Sequence, residues 1–202
     1  RNLDIVDRVN EDEFGRNRDQ EILTRIAQYE MSFRMQMSVP EATDISNEPK
    51  AILDLYGPEC QQPGKFAANC LLARRLAERG VRFVQLYHRG WDQHGGLIGA
   101  LPKQCNDTDQ ACAGLVTDLK QRGMLDETLV VVVGEFGRSP KMGISTSGNG
   151  NDKNGRDHWP YCFTSIVAGG GIKRGYVYGK SDETGSAPVE NPVHPRDLLA
   201  TI

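Results

Sequence analysis

Apolar side chains recur every three or four residues in several stretches of the chain, and this spacing predicts amphipathic helices. The first covers residues 19–37, and Pro40 is expected to end it. A short helix around residues 48–55 precedes the loop "GPECQQPG". Longer helices are predicted over residues 64–80 and 100–122. Gly80 is expected to end the first of them, and Gly123 the second. A last apolar helix begins in "HPRDLLATI".

Short runs of β-branched and aromatic residues separate these helices and predict strands. They are "VRFVQLYH" (81–88), "ETLVVVV" (127–133) and "CFTSIVAGG" (162–170). Helices that alternate with strands are typical of a parallel sheet covered on both faces, so the pattern favours an α/β fold. The glycines of "AGGGIKRGYVYG" (168–179) indicate a hairpin or bulge, because the segment opens no helix and lacks the Lys-Ser/Thr of a phosphate loop.

Composition and charge narrow the class of protein. Hydrophobic residues make up 38% and charged residues 25% of the 202 residues, as in globular proteins. The net charge of −3 gives no support for a nucleic-acid partner, and no apolar run is long enough for a membrane span. Residues 1–18 lack periodicity and are predicted to be an arm or linker. We expect residues 19–202 to be the C-terminal part of one domain, since the last helix is cut short.

The five cysteines form no CxxC pair, which excludes zinc-finger spacing. Cys105 and Cys112 share a face of one predicted helix but lie two turns apart, too far for a disulfide between them. Two interpretations remain. The cysteines are small buried side chains, or a partial disulfide framework joins Cys60 to another cysteine.

Chemically active side chains gather in three loops beside the predicted strands. The loops are "RGWDQHGG" after strand 81–88, "GEFGR" after strand 127–133 and "GRDHWP" before strand 162–170. Ligands of open α/β sheets bind outside the carboxyl ends of the strands, so we expect the loops to converge on one edge. The candidate metal ligands are Asp92, His94, Glu135, Asp157 and His158, and the candidate anion-binding residues are Arg138 and Arg156.

These residue types fit the hydrolysis of phosphate or sulfate esters. Imidazoles and carboxylates bind zinc, manganese and related divalent ions, which polarise ester oxygens and activate nucleophiles. The arginine guanidinium is a planar fork that matches a tetrahedral oxyanion. Together the three loops predict a metal or oxyanion site.

Each loop also has a purely structural interpretation. Asp92 and His94 are compatible with turn capping, and Glu135 with a salt bridge to Arg138 or Arg156. Asp157 fits a turn cap, with the ring of His158 stacked on Trp159. His88 lies on a predicted strand, where we expect it to pack. His194 lies ahead of the last helix, where we expect a structural role.

Long stretches of the chain resemble a known family. They are "NCLLARRLAERGVRFVQLYHRGWDQHGG", "LKQRGMLDETLVVVVGEFGRSP", "NGRDHWPYCFTSIVAGGGIKRGYVYG" and "PVHPRDLLATI". They closely resemble the bacterial domain of unknown function 1501 family, which is abundant in planctomycetes, sulfatase-like and placed in the alkaline phosphatase superfamily. The resemblance implies an alkaline-phosphatase-like three-layer α/β/α sandwich with two divalent-metal sites. It also implies a Ser, Thr or modified Cys nucleophile upstream of these residues, so we expect the fragment to be inactive.

The superfamily pattern carries over to individual residues, with departures. Asp92 and His94 resemble its Asp/His pair, at a shorter spacing than usual, and His158 resembles its late histidine ligand. Glu135 stands where the superfamily has an Asp-His pair, and Phe136 takes the place of the histidine. Because phenylalanine cannot coordinate a metal, one of the two metal sites is expected to be altered, reduced or lost.

The sequence thus predicts a metal-dependent hydrolase of sulfate or phosphate esters, holding zinc, manganese or calcium. Its substrate would be a small-molecule or polysaccharide ester. By resemblance alone, we expect the protein to be periplasmic or otherwise exported. The alternative is a non-catalytic binding or scaffold module of the cell envelope on the same fold, in which the carboxylates and arginines form salt bridges.

Overall fold

The structure is a computed structural model. It describes residues 8–12, 14–15 and 20–202, apart from the side chains of residues 35 and 38. Of the predicted N-terminal arm, the described residues are helical, and the others lie outside the described residues. No described helix has the length and apolar character that crossing a membrane requires.

The chain divides into two units, Arg1–Asn47 and Glu48–Ile202. The first contains helix α1, Gln20–Thr43. The expectation that Pro40 ends this helix is wrong, because the helix continues through it. A proline removes one backbone N–H and therefore one helical hydrogen bond. The carbonyl of Pro40 still accepts the N–H of Asp44 at 3.0 Å, so the last turn remains closed.

Helices dominate the first half of the second unit. They are α2 (Lys50–Tyr56), a 3₁₀ turn (Pro58–Gln61), α3 (Phe66–Glu78) and α4 (Leu97–Gln121). A further helix, α5 (Pro195–Thr201), lies near the end of the chain. The helices predicted from apolar periodicity are therefore confirmed, with boundaries shifted by a few residues. His194 has the predicted structural role, since its ring accepts the N–H of Arg196 and caps α5.

The helical core lies where α2, α3 and α4 contact one another. Leu71 of α3 and Leu119 of α4 are almost completely buried, with exposed fractions of 0% and 1%. Gly114 allows α4 to approach α2, because a Cβ at this position would lie 2.7 Å from the carbonyl oxygen of Leu55. Only a residue without a side chain permits this backbone contact.

The strands of the described residues form three two-stranded antiparallel sheets. The pairs are β1 (Leu129–Val132) with β4 (Ile166–Gly169), β2 (Gly137–Arg138) with β3 (His158–Trp159), and β5 (Lys180–Ser181) with β6 (Pro188–Glu190). Strands β1 and β2 precede the loop 139–157, in which the chain reverses direction, and β3 and β4 follow it. The described elements thus make a mixed α/β fold.

The predicted parallel pairing is wrong for these strands. Parallel neighbours need a crossover, usually a helix, whereas an antiparallel pair needs only a chain reversal. Between β1 and β4 the chain reverses through the loop 139–157 and forms no helix. Leu129 therefore pairs with Gly169, and Val132 with Ile166.

The strand predicted over residues 81–88 is also wrong, because these residues form no regular element. A strand satisfies its backbone N–H and C=O groups by pairing with a neighbour. Within the described part of the chain this segment joins none of the three sheets. Two of its aromatic side chains, Phe83 and Tyr87, are 71% and 79% exposed.

All five cysteines carry free thiols. Cys60 and Cys70 are buried, as predicted for small apolar side chains, and the other three are partly buried. The alternative in which Cys60 forms a disulfide is therefore not what the structure shows.

Candidate metal centre

Two loops that are far apart in sequence lie against each other through backbone contacts. The N–H of Asp152 donates to the carbonyl of His94 at 2.7 Å, and the N–H of Arg156 donates to that of Gln93 at 3.1 Å. Gly155 lies so close that a Cβ there would be 2.0 Å from the carbonyl oxygen of His94. The two loops can meet in this way only because residue 155 has no side chain.

The short ladder between β2 and β3 positions the other half of the site. Arg138 and His158 are direct cross-strand partners, as are Gly137 and Trp159. Gly137 again permits a close approach, since a Cβ would lie 2.1 Å from the carbonyl oxygen of Cys162. Cross-strand partners have neighbouring side chains, so this register brings the guanidinium of Arg138 and the ring of His158 to the same place.

Three potential ligand atoms meet where the loops and the ladder join. Asp92 Oδ1 lies 3.0 Å from His158 Nε2 and 3.1 Å from His94 Nε2, and the two Nε2 atoms are 3.1 Å apart. The imidazoles are 25% exposed and the Asp92 side chain is 61% exposed. We call this set of atoms the donor triangle. Among the described residues it is the one cluster of His, Cys, Asp and Glu with metal-binding geometry.

Arg138 is the positive charge at the donor triangle. Its Nη1 donates to Asp92 Oδ1 at 2.5 Å. This hydrogen bond, followed by that of His158, holds the pKa of Asp92 below its usual range. Asp92 is therefore a carboxylate at neutral pH, the form that binds a cation.

Asp157 lies behind the triangle and is completely buried. Its carboxylate accepts hydrogen bonds from the hydroxyls of Ser145 and Ser147 and from the N–H groups of Thr146, Ser147 and His158. The Ser147 hydroxyl, followed by the backbone donors, holds the pKa of Asp157 far below its usual range. Asp157 is thus a fixed negative charge outside the donor triangle.

His94 connects the triangle to this buried carboxylate. Its Nδ1 lies 3.5 Å from Asp157 Oδ1. The nitrogen is buried and has no hydrogen-bond partner within bonding distance. A carboxylate behind the second nitrogen is the usual arrangement for an imidazole that binds a metal, because it orients the ring and raises its basicity.

The ring of Phe136 packs against the candidate site. Its ring centroid lies 4.7 Å from that of His158, and the guanidinium carbon of Arg138 lies 5.7 Å from its centroid. The phenylalanine therefore packs against one side of the triangle without contributing a ligand.

The remaining candidate residues lie outside the triangle. Glu135 is 64% exposed and lies 3.6 Å from Arg138, in the salt bridge that the structural interpretation anticipated. Arg156 donates to the carbonyls of Ser139 and Pro140 at 2.7 and 2.8 Å, so its guanidinium holds the loop 139–157. His88 accepts the indole N–H of Trp91 at 2.9 Å and packs on Phe66.

Sequence reasoning did not identify Ser145, Thr146 and Ser147 as partners of Asp157. These residues open the Gly/Asn/Ser-rich stretch "STSGNGNDKNG" (145–155) and donate hydrogen bonds to the buried carboxylate. The one sequence signal for this contact is the run of three hydroxyl residues, 145–147, which precedes Asp157 in the same loop. Each serine or threonine hydroxyl can donate one hydrogen bond, so such a run can satisfy the oxygens of a buried carboxylate.

A comparison with protein families finds one match that covers the whole chain. The model described as "Protein of unknown function (DUF1501)" matches residues 1–202. No curated protein and no solved structure shows significant similarity to the chain.

Proposed function

Since the chain belongs to the DUF1501 family of proteins of unknown function, we propose a function from its site: a metal-dependent hydrolase of sulfate or phosphate esters. The observation that carries this proposal is the donor triangle, with edges of 3.0, 3.1 and 3.1 Å between Asp92, His94 and His158. Two imidazoles and a carboxylate form a ligand set used by zinc and by other divalent transition metals.

The dimensions of the triangle suit an ion. Ligand atoms at about 2.0–2.2 Å from a metal are about 2.8–3.6 Å from one another in octahedral or tetrahedral surroundings. All three edges lie within that range. The two imidazoles favour zinc or manganese over calcium, whose protein ligands are oxygen atoms.

The buried Nδ1 of His94 supports the same interpretation. It lacks a hydrogen bond in the described structure and faces the Asp157 carboxylate at 3.5 Å. A small rotation of the ring would let Nδ1–H donate to Asp157. The lone pair of Nε2 would then be free to bind a metal. That tautomer is the one that binds a metal through Nε2.

Each residue then has a separate role in the proposed reaction. Asp92, His94 and His158 would hold a divalent ion, which would supply Lewis acidity toward the ester oxygen. Asp157 would fix the ring of His94. Arg138, partly exposed beside Asp92, is placed to bind an oxygen of the sulfate or phosphate group.

The remaining expectations stay predictions that rest on the resemblance. They are the alkaline-phosphatase-like three-layer sandwich, the upstream nucleophile, a second ion held with Glu135, and an exported location. Phe136 in the place of a histidine favours a single ion, since its ring packs on His158 and offers no ligand.

A non-catalytic binding or scaffold module remains the second candidate function. The observation that favours it is the close contact of Arg138 with Asp92, which already gives the carboxylate a positive partner. In that case the triangle would be a salt-bridge network that holds the loops together.

Metal binding to the intact protein tests the proposal. We expect one equivalent of Zn²⁺ or Mn²⁺ by elemental analysis and calorimetric titration. Asp92→Asn, His94→Ala and His158→Ala should each reduce the affinity by more than about 100-fold, because each removes one of three ligands. His194→Asn, which retains a helix cap, and Asp126→Asn, in an exposed ion pair, are matched controls that should leave the affinity unchanged. Binding that survives His94→Ala, or none in the wild type, would exclude the metal site.

Hydrolysis distinguishes the enzyme from the module. With Zn²⁺ or Mn²⁺ bound, the intact protein should hydrolyse an aryl sulfate or aryl phosphate. Arg138→Ala should lower kcat/KM by roughly 10²–10³-fold while metal is still bound, since it removes one donor to the transferred group. Metal binding without turnover of either ester would favour a binding module instead.

A further inference from the structure

Two asparagines in the loop 139–157 are followed by glycine, in the pairs Asn149–Gly150 and Asn154–Gly155. An asparagine loses its side-chain amide when the backbone nitrogen of the next residue attacks the side-chain carbonyl carbon, Cγ. Glycine in the second position favours this attack, because it has no side chain in the way and its backbone rotates more freely. The two pairs have the same residues, so a difference in their reactivity must come from their surroundings.

The contact between the two loops holds the second pair in place. The N–H of Gly155 donates to the carbonyl of Asp152 at 2.8 Å, and the carbonyl of Asn154 accepts the N–H of Leu97 at 3.0 Å. Gly155 is buried, and a Cβ there would lie 2.0 Å from the carbonyl oxygen of His94. The nitrogen that would have to attack is therefore engaged in a hydrogen bond and has no room to move.

The first pair lies in open surroundings. Asn149 and Gly150 are both exposed, and apart from chain neighbours no heavy atom lies within 4 Å of the place that a Cβ of Gly150 would occupy. Within the described part of the chain, neither the side-chain amide of Asn149 nor the N–H of Gly150 has a hydrogen-bond partner. The two reacting groups can therefore approach each other without either of them losing a hydrogen bond.

A third asparagine of this loop, Asn151, is fixed in a different way. Its side-chain amide donates to the carbonyls of Ile144 and Gly155 at 3.3 and 3.1 Å. The next residue is Asp152, whose N–H donates to the carbonyl of His94 at 2.7 Å. Both reacting groups are hydrogen-bonded here, and the side chain of Asp152 would hinder the attack further.

We propose that Asn149 is a site of spontaneous deamidation, and that the fold protects Asn151 and Asn154 from the same reaction. The nitrogen of Gly150 loses its proton and attacks Cγ of Asn149. The new N–C bond closes a succinimide ring, the bond from Cγ to the side-chain nitrogen breaks, and that nitrogen takes up a proton and leaves as ammonia. Water then opens the ring at either carbonyl, which gives aspartate or isoaspartate. The net reaction consumes one water and releases one ammonia, with no oxidation or reduction.

The two products would change the loop in different ways. Aspartate adds a negative charge close to Ser147, whose hydroxyl oxygen accepts the N–H of Asn149 at 3.4 Å and donates to Asp157 at 2.6 Å. Isoaspartate adds the same charge and also lengthens the main chain by one carbon, because the backbone then runs through the side chain. The added length lies just ahead of Asp152, whose N–H joins this loop to His94. Isoaspartate should therefore loosen that contact.

Ageing of the intact protein at mildly alkaline pH and physiological temperature, without added metal, tests the proposal. Cleavage after arginine releases residues 139–156 as one peptide, which contains all three asparagines. Electron-transfer fragmentation locates the change and distinguishes aspartate from isoaspartate. We expect the acid to form at position 149 at least about 10-fold faster than at position 154, where reaction requires local opening of the loop. Equal rates at the two positions, or no change at position 149, would overturn the proposal.

The synthetic peptide 139–156 measures the reactivity of the two pairs without the fold. Asn149 and Asn154 should react at similar rates in it, because each is followed by glycine. If the peptide shows the same preference for Asn149 as the folded protein, the fold does not protect Asn154.

Two glycine variants test the identity of the attacking nitrogen. Gly150→Ala should slow the change at position 149 by roughly 10-fold, because a side chain then stands beside the attacking nitrogen. Gly148→Ala is the matched control, since Gly148 also has a positive φ and no heavy atom near the added Cβ but lies on the other side of Asn149. Deamidation that is slowed equally in both variants would contradict the assignment.

The variant Asn149→Asp separates the added charge from the longer main chain. Hydrogen exchange of the Asp152 N–H should be faster in the isoaspartate form than in Asn149→Asp, because only isoaspartate changes the length of the loop. Equal exchange rates in the two forms would show that the longer main chain leaves the loop contact intact.

Discussion

The carboxyl group of Asp118 has no exposed surface and lies in the helical core. It accepts the hydroxyl of Tyr56 at 2.9 Å and the Nε of Arg122 at 2.7 Å, and its Oδ2 lies 2.8 Å from Arg74 Nε. Arg74, 1% exposed, also contacts Glu48 at 2.6 Å. Charges can be buried here because each one has an opposite charge and further hydrogen bonds around it.

Replacing this single carboxylate should therefore be costly. Asp118→Asn leaves Arg74 and Arg122 without one of their counter-charges in a buried place, and we expect a loss of about 3–5 kcal/mol in the free energy of unfolding. Urea denaturation would measure it. Asp126→Asn, in the exposed pair with Arg174, is the control and should change the value by less than about 1 kcal/mol. Similar losses in the two variants would show that the buried network is not stabilising.

At the scale of elements, the candidate metal centre depends on backbone contacts between loops rather than on one helix or strand. The loop with His94 is hydrogen-bonded to the loop with Asp152 and Gly155, and His158 is held by its pairing with Arg138. A glycine at position 155 makes the loop contact possible. The site should therefore be sensitive to changes that push the loops apart.

Gly155→Ala tests this sensitivity. The added Cβ would meet the carbonyl oxygen of His94, so the backbone must move and His94 should leave its place beside His158. We expect Zn²⁺ affinity to fall by about 10–100-fold while the protein stays folded. Gly99→Ala, in α4 with no heavy atom within 4 Å of the added Cβ, should keep the affinity. Unchanged binding in Gly155→Ala would show that the loop contact does not position the ligand.

At the scale of the whole molecule, several carboxylates are stabilised in the charged form. Burial alone would raise the pKa of Glu48, but hydrogen bonds from Arg74 and Arg75 outweigh it and lower the pKa. The backbone N–H of Ser186 is the first cause of the lowered pKa of Asp182. Such groups bind protons less readily in the folded than in the unfolded chain.

The sign of the pH dependence follows from this difference. Where a folded pKa lies below the unfolded value of about 4, the stabilisation is complete above that value and is lost as the pH falls toward the folded pKa. We expect Tm to be nearly constant from pH 7 to pH 5 and to fall steadily below about pH 4. Glu48→Gln should make the decline shallower, because it removes one of the linked groups. A Tm that stays constant or rises between pH 5 and pH 3 would contradict the expectation.

The sequence by itself determined the helices and identified the candidate residues of the site. The apolar spacing in "FAANCLLARRLAE" identifies α3 because a helix repeats its faces every three or four residues, which is a local property. Asp92, His94 and His158 could be proposed as ligands in the same way, from the residue types that bind divalent ions. Both inferences use information that neighbouring residues carry.

Only the tertiary structure decided how these parts meet. It set the antiparallel direction of β1 and β4 and left residues 81–88 without a strand. It also placed Asp157 outside the donor triangle, where its oxygens accept hydrogen bonds from the loop around Ser147. These outcomes depend on hydrogen bonds and close approaches between segments that are distant along the chain. A local pattern does not encode such contacts, because they form only when the whole chain has folded.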